Sequence, residues 1–84
     1  MIKRIDHLGI AVEDAEKSTE FYRDILGLET EEPMEHHGMK MVFVKIGESN
    51  LEIIEDSNPG GIIAKFVKNS GEGIHHVSLV VDDI

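Results

Sequence analysis

Two histidines lie at equivalent positions of a repeated stretch. The stretch from Ile5 to Asp14 recurs 69 residues later, so that His76 falls where His7 stood. Isoleucine, histidine, valine and aspartate recur in register, which indicates two equivalent units that each open with a histidine-bearing strand. An imidazole can bind a metal or transfer a proton, but it can also be an ordinary hydrogen-bonded core group. For His7 alone, both readings stay open.

A third residue that could bind a metal or transfer a proton is Glu52, in the middle of the apolar segment 51–54. A carboxylate there must face solvent, pair with a cationic group or bind a cation, because an isolated buried charge is very costly. The chain has no cysteine. Any metal must therefore be held by imidazole and carboxylate, and disulfides are excluded.

Alternating apolar residues predict the strands that carry these groups. In the first strand, 2–12, His7 shares a face with Gly9 and Ala11, which leaves space above the imidazole. A strong strand is predicted over 39–46, a turn over 47–50 and a partner strand over 51–54. The acidic stretch 28–35, broken by Pro33, indicates an edge-like strand that runs into a loop.

Two helices are predicted between the strands. Asp14 is a plausible N-cap and Gly27 a C′ residue for the first helix. Its apolar stripe is expected to pack on the sheet and contains Ala15, Ser18, Phe21, Tyr22, Ile25 and Leu26. A short second helix around Ile62 and Phe66 follows the linker 56–61.

The order of elements predicts an α+β fold, a βαβββ module shaped as a half barrel. We assign residues 1–55 to this module, 56–73 to a connecting linker with a short helix, and 74–84 to the first strand of an incomplete second module. Strand side chains of one parity would then converge on an open concave face.

Composition narrows the classes of partner. A net charge of −9 argues against a nucleic-acid partner. No apolar run reaches membrane-spanning length and no signal peptide is visible, so we expect a cytoplasmic protein without a membrane partner. A chain of 84 residues is near the size at which a metal or a second subunit helps to stabilise the fold.

Four segments resemble the vicinal oxygen chelate, or glyoxalase-like, superfamily, which includes glyoxalase I, fosfomycin-resistance proteins and ring-cleaving dioxygenases. They are Ile5–Val12, Phe21–Leu28, Leu51–Glu55 and Gly73–Val77. Within the superfamily the sequence is most similar to the methylmalonyl-CoA epimerases. The resemblance covers the whole chain and about the first three fifths of a family member.

The resemblance implies a divalent metal held by His7, Glu52 and His76, without distinguishing Co, Mn, Zn, Ni or Mg. His76 is preferred to His75 because it occupies the repeat position of His7. Glu35 matches an acid/base glutamate of the epimerases, although from position alone it is one of several acids on a solvated stretch. The implied reaction is epimerisation of a methylmalonyl-CoA-type thioester, by removal of the α-proton and stabilisation of the enolate.

The family's fourth ligand and second acid/base group lie on a strand that has no counterpart in these residues. We therefore expect poor catalysis from a lone monomer. The expected competent form is a homodimer, with or without a swap of its last strand. Two alternatives stay open: another glyoxalase-like metalloenzyme, either a lyase or a ring-cleaving dioxygenase, and a metal-free small-molecule-binding module.

Overall fold

The computed structural model describes residues 1–82. Its elements follow the predicted order of strand, helix, three strands, helix and strand. They are β1 (Ile2–Ala11), α1 (Ala15–Glu20) with a π-helical turn (Phe21–Ile25), β2 (Met34–His36), β3 (Met39–Ile46), β4 (Ser49–Asp56), α2 (Ile62–Ser70) and β5 (Gly73–Val81). Asp83 and Ile84, the end of the predicted segment 74–84, lie outside the described residues.

The five strands form one sheet in the order β2-β3-β4-β1-β5. Hairpin neighbours pair antiparallel, whereas β1 pairs parallel with β4 and antiparallel with β5. The predicted α+β class is confirmed. The strand that repeats the start of the chain thus lies beside the strand it repeats, which brings the two histidine-bearing segments next to each other.

The two faces of the sheet bury separate apolar clusters. One cluster joins Val42, Val44 and Ile53 to Val12 and the first residue of α1. The other joins Ala11 and Ile54 to Ile63 of α2, with Met39 and Met41 packed against it. Ala11 and Val12 therefore lie on opposite faces, which confirms the predicted side-chain alternation of β1. The α1 face is packed over β1, β3 and β4, and α2 covers only part of the opposite face.

The first helix begins as predicted, because the Asp14 side chain accepts a hydrogen bond from the Lys17 amide. Gly27, at φ +73°, terminates it in the left-handed region. The predicted packing of Phe21 is wrong: this side chain is 46% exposed, and Tyr22 packs against the core instead. The π-helical turn inserts an extra residue, which rotates the later side chains relative to a regular α-helical stripe.

The same turn leaves Ile25 and Leu26 exposed, although the predicted stripe included both. Thr19, outside that stripe, is buried, and its hydroxyl donates to the Ala15 carbonyl. In α2 the buried residue is Ile63, and Ile62 points to solvent. Helical periodicity alone did not settle which residues of these short helices face the sheet.

Strand boundaries also differ from the prediction. The edge strand is Met34–His36, and the preceding stretch joins β3 through an isolated bridge of Thr30 to Val44. The backbones of Glu29 and Glu31 make the hydrogen bonds of this bridge. The hairpin turn is shorter than the predicted 47–50, since Ile46 already pairs with Ser49. Neither described helix has the length and hydropathy needed to cross a membrane.

Candidate metal centre

Glu52 and His76 are placed on either side of Gly9 by the pairing of three adjacent strands. Gly9 is the partner of Glu52 in the parallel β1–β4 ladder and of His76 in the antiparallel β1–β5 ladder. His7 lies two residues before Gly9 and therefore shares its face. Three side chains distant in sequence thus converge on one patch of the sheet.

The absence of a side chain at Gly9 is what makes room for this convergence. A Cβ atom built there would lie 2.5 Å from both ring nitrogens of His76. The imidazole of His76 therefore lies directly over the Gly9 backbone. A glycine is required here by close approach, since its backbone is not in the left-handed region.

The three side chains present their ligand atoms to one another as a nearly equilateral triangle. His7 Nε2 is 3.5 Å and His76 Nε2 is 3.4 Å from Glu52 Oε1, and the two Nε2 atoms are 3.3 Å apart. Ligands about 2.1 Å from a common ion at right-angle or tetrahedral positions have donor atoms roughly 3.0–3.4 Å apart. The spacing matches a donor set for a divalent metal.

The chemistry of the donors agrees with their spacing. Glu52 is only 13% exposed in its side chain, and its partners within reach are two imidazoles. Two nitrogen donors and one carboxylate suit a borderline or hard dication. His76 is the most open of the three, with a side chain 37% exposed, so the patch is accessible from that side.

Phe43 of β3 closes the side of the patch opposite β5. It is the direct partner of Glu52 in the β3–β4 ladder, and its ring meets His7 edge-on with centroids 6.2 Å apart. An apolar ring at this position lowers the local polarity beside the cluster and restricts the imidazole of His7. The site therefore has an aromatic wall and an open flank.

Glu35 is not brought to this cluster. In the β2–β3 ladder it pairs with Lys40, which in turn pairs with Glu55, so the three side chains share one face. Glu52 pairs with Phe43 and belongs to the other face. The acid/base role of Glu35 stays a prediction, and this geometry does not support it.

Residues that sequence reasoning missed surround the two imidazoles. Asp6 Oδ2 lies 2.8 Å from His7 Nδ1, and His75 Nδ1 lies 2.9 Å from His76 Nδ1. The signal was present in the repeat, in which Asp6 aligns with His75. The ring of His75 also meets the ring of Phe66 of α2 edge-on, with centroids 5.2 Å apart.

Comparison with known proteins agrees with the fold. The family model described as Glyoxalase/Bleomycin resistance protein/Dioxygenase superfamily matches residues 4–84. Methylmalonyl-CoA epimerase of Mus musculus mitochondria is 39% identical over 96% of this chain and 47% of its own length. Ethylmalonyl-CoA/methylmalonyl-CoA epimerase of Cereibacter sphaeroides is 37% identical over 100% of this chain and 65% of its own.

Solved structures give the same result. The methylmalonyl-CoA epimerase of Streptomyces coelicolor, in complex with 2-nitronate-propionyl-CoA, superposes with a TM-score of 0.89 at 30% identity, over 100% of this chain and 66% of that one. A hypothetical protein of Bacillus halodurans gives a TM-score of 0.88 at 36% identity, over 95% and 59%. The chain spans about half the length of the mammalian relatives it matches. It belongs to the Glyoxalase/Bleomycin resistance protein/Dioxygenase superfamily.

Proposed function

We propose that His7, Glu52 and His76 hold a divalent metal and that the site serves the epimerisation of a methylmalonyl-CoA-type thioester. The observation that carries the proposal is the triangle of donor atoms with sides of 3.3–3.5 Å. The relatives named as methylmalonyl-CoA epimerases supply the substrate class. Which of Co, Mn, Zn, Ni or Mg is bound does not follow from these donors.

The chain's own contribution is binding and orientation. The two imidazoles offer Nε2 lone pairs and Glu52 offers one negative charge, all on rigid neighbouring strands. A bound divalent ion would withdraw charge from the thioester carbonyl and stabilise the enolate that forms when the α-proton leaves. The proton lost from one face is balanced by a proton returned to the other, so the reaction needs no oxidant or second substrate.

The described residues offer fewer groups for proton transfer at this site than for metal binding. Glu52 is the only carboxylate of the three-residue group, and the proposal uses it as a ligand. Glu35 lies on the other face of the sheet. We therefore infer that a single copy of residues 1–82 stabilises the enolate better than it inverts the α-carbon, and that turnover is slow.

A homodimer is the proposed competent form. Apolar side chains on the α1 face of β5, Val77 and Leu79, are half exposed. By the repeat they correspond to Leu8 and Ile10 of β1, and Ile10 packs under α1. A second copy would bury these side chains. Strand swapping is not needed to complete the triangle, because β5 already pairs with β1 of its own chain.

Within the cell we place the protein in the cytoplasm.

Exchange of the α-proton of a methylmalonyl thioester in D₂O, followed by NMR, tests the proposal. Exchange requires enolate formation but not inversion, so it detects activity where full epimerisation is slow. In the presence of Co²⁺ we expect the protein to catalyse exchange of the α-proton, and we expect chelation of the metal to abolish this activity. In His7→Ala the exchange rate should fall to that of free Co²⁺. A wild-type rate equal to that of free Co²⁺ would contradict the proposal. Catechol-dependent oxygen consumption with Fe²⁺ would instead favour a dioxygenase, which uses the same donor set.

A further inference from the structure

Each candidate ligand histidine is contacted at its Nδ1 atom by the residue immediately before it. Asp6 contacts His7 and His75 contacts His76, at 2.8 and 2.9 Å. In both cases the Nε2 atom is the one within the triangle with Glu52. The repeat therefore contains two pairs of consecutive residues, Asp6–His7 and His75–His76. In each pair the second residue points its Nε2 atom into the triangle, and the first contacts the Nδ1 atom of the same ring.

Such a contact is unusual between consecutive residues of a strand, because their side chains normally point to opposite faces. Two irregularities of the β1–β5 ladder explain it. The register shifts between Ile5 and His7, which leaves Asp6 as an extra residue on β1. It shifts again between Gly9 and Ile10, which pair with His76 and Ile74 and so leave His75 as an extra residue on β5. A β-bulge re-aims a side chain in this way.

The protonation pattern at His7 follows from the chemistry of its partner. An ionised carboxylate accepts hydrogen bonds and cannot donate one, so Nδ1 of His7 must carry the hydrogen. In the neutral ring Nε2 is then a bare lone pair, 3.5 Å from Glu52 Oε1 and 3.3 Å from His76 Nε2. The other oxygen of Asp6 is 3.6 Å from the guanidinium of Arg4, which holds the carboxylate in place from its far side.

At His76 the partner is another imidazole, His75, so the direction of the hydrogen bond is not fixed until a metal binds. Either of the two Nδ1 atoms can donate to the other, since both belong to imidazoles. Ligation through Nε2 of His76 requires that its Nδ1 be the donor. The ring of His75 is kept in position by the edge-on contact with Phe66.

We propose that Asp6 and His75 are positioning residues that hold His7 and His76 in the tautomer able to bind a metal through Nε2. This inference rests on the metal site proposed above. Asp6 enforces the tautomer before any metal arrives, whereas His75 permits it. Hydrogen-bonded carboxylates behind ligand histidines fix the ring and raise the basicity of the ligating nitrogen, and their loss typically lowers metal affinity by about 10–100-fold.

Two measurements on Asp6→Ala separate positioning from metal binding. Long-range ¹H–¹⁵N spectra of the metal-free protein report which ring nitrogen of His7 carries hydrogen. We expect Nδ1–H in the wild type and a large increase of Nε2–H in Asp6→Ala. Titration with Co²⁺ should show a loss of affinity of about 10–100-fold. The amide of Asp6→Asn can donate as well as accept, so its Nε2–H fraction and its Co²⁺ affinity should lie between those of the wild type and Asp6→Ala. This variant replaces Asp6→Ala if the latter does not fold.

Asp24→Ala is the matched control, because it removes the same atoms and charge from an exposed residue of the π-helical turn. It should leave the His7 spectrum unchanged and Co²⁺ affinity within twofold of wild type. Retention of Nδ1–H at His7 in Asp6→Ala would overturn the proposal, and so would a loss of affinity no larger than that of the control. If wild type binds no Co²⁺, the metal site fails, and the spectra still decide whether Asp6 sets the tautomer.

His75→Phe tests the second pair, since it removes the acceptor and keeps a ring against Phe66. We expect Co²⁺ affinity to fall, with the change in tautomer confined to His76. An unchanged affinity would remove His75 from the proposal and leave Asp6 as the one positioning residue.

Discussion

Replacing Gly9 by alanine should remove the metal site while the fold persists. The added Cβ would lie 2.5 Å from Nδ1 and Nε2 of His76, whereas ordinary contact begins at 3.4 Å. The ring must therefore withdraw by about 0.9 Å or more. Metal–ligand distances tolerate only about 0.2 Å. His76 would be lost as a ligand, and we expect Co²⁺ affinity to fall by more than about 10-fold, since even outer partners of a ligand are worth that much.

The effect on stability should be smaller, because the His76 side chain is partly exposed and can swing outward. Overpacking of a rigid core costs about 1–3 kcal/mol, and this sets the upper limit. Gly73→Ala is the matched control: it is a glycine of β5 whose Cβ would meet nothing within 4 Å. It should gain up to about 1 kcal/mol from reduced freedom of the unfolded chain. Co²⁺ titration and urea unfolding measure both quantities, and equal affinities for the two variants would refute the argument.

Three further predictions concern the scaffold. Ile53→Ala, at a fully buried position between the sheet and α1, should lower the free energy of unfolding in urea by about 2–5 kcal/mol, and a loss below 1 would contradict the described core. Asp14→Ala removes the acceptor for the Lys17 amide and should cost about 0.5–2 kcal/mol, and no loss in the same assay would show that the cap is not needed. The hydrogen-bonded guanidinium of Arg23 lowers the pKa of Asp24, so an NMR titration of Arg23→Gln should find that pKa raised, and an unchanged value would exclude the pairing in solution.

The strand-borne part of the site could be predicted from the sequence, because strand parity has a period of two and leaves little choice. The positions of His7, Gly9 and His76 follow from that parity and from the repeat. The convergence with Glu52 needed the knowledge that β4 is the parallel neighbour of β1, which local patterns do not contain.

The features that could not be predicted from the sequence are local irregularities of the backbone. The two bulges change which way Asp6 and His75 point, and alternation predicts the opposite. The π-helical turn likewise changes which residues of the first helix are buried, so that Phe21 was misplaced. Each depends on a single extra residue, whose cost is offset by tertiary contacts that no short window of sequence reveals.

His7, Glu52 and His76 are proposed to bind one ion together. The most direct test is metal analysis of the purified chain after incubation with Co²⁺ and desalting, beside His7→Ala and the control His36→Ala, which removes an exposed histidine of β2. We expect about one equivalent of metal in the wild type and the control and little in His7→Ala. Equal metal content in His7→Ala and the wild type, or none in any of them, would contradict the proposal.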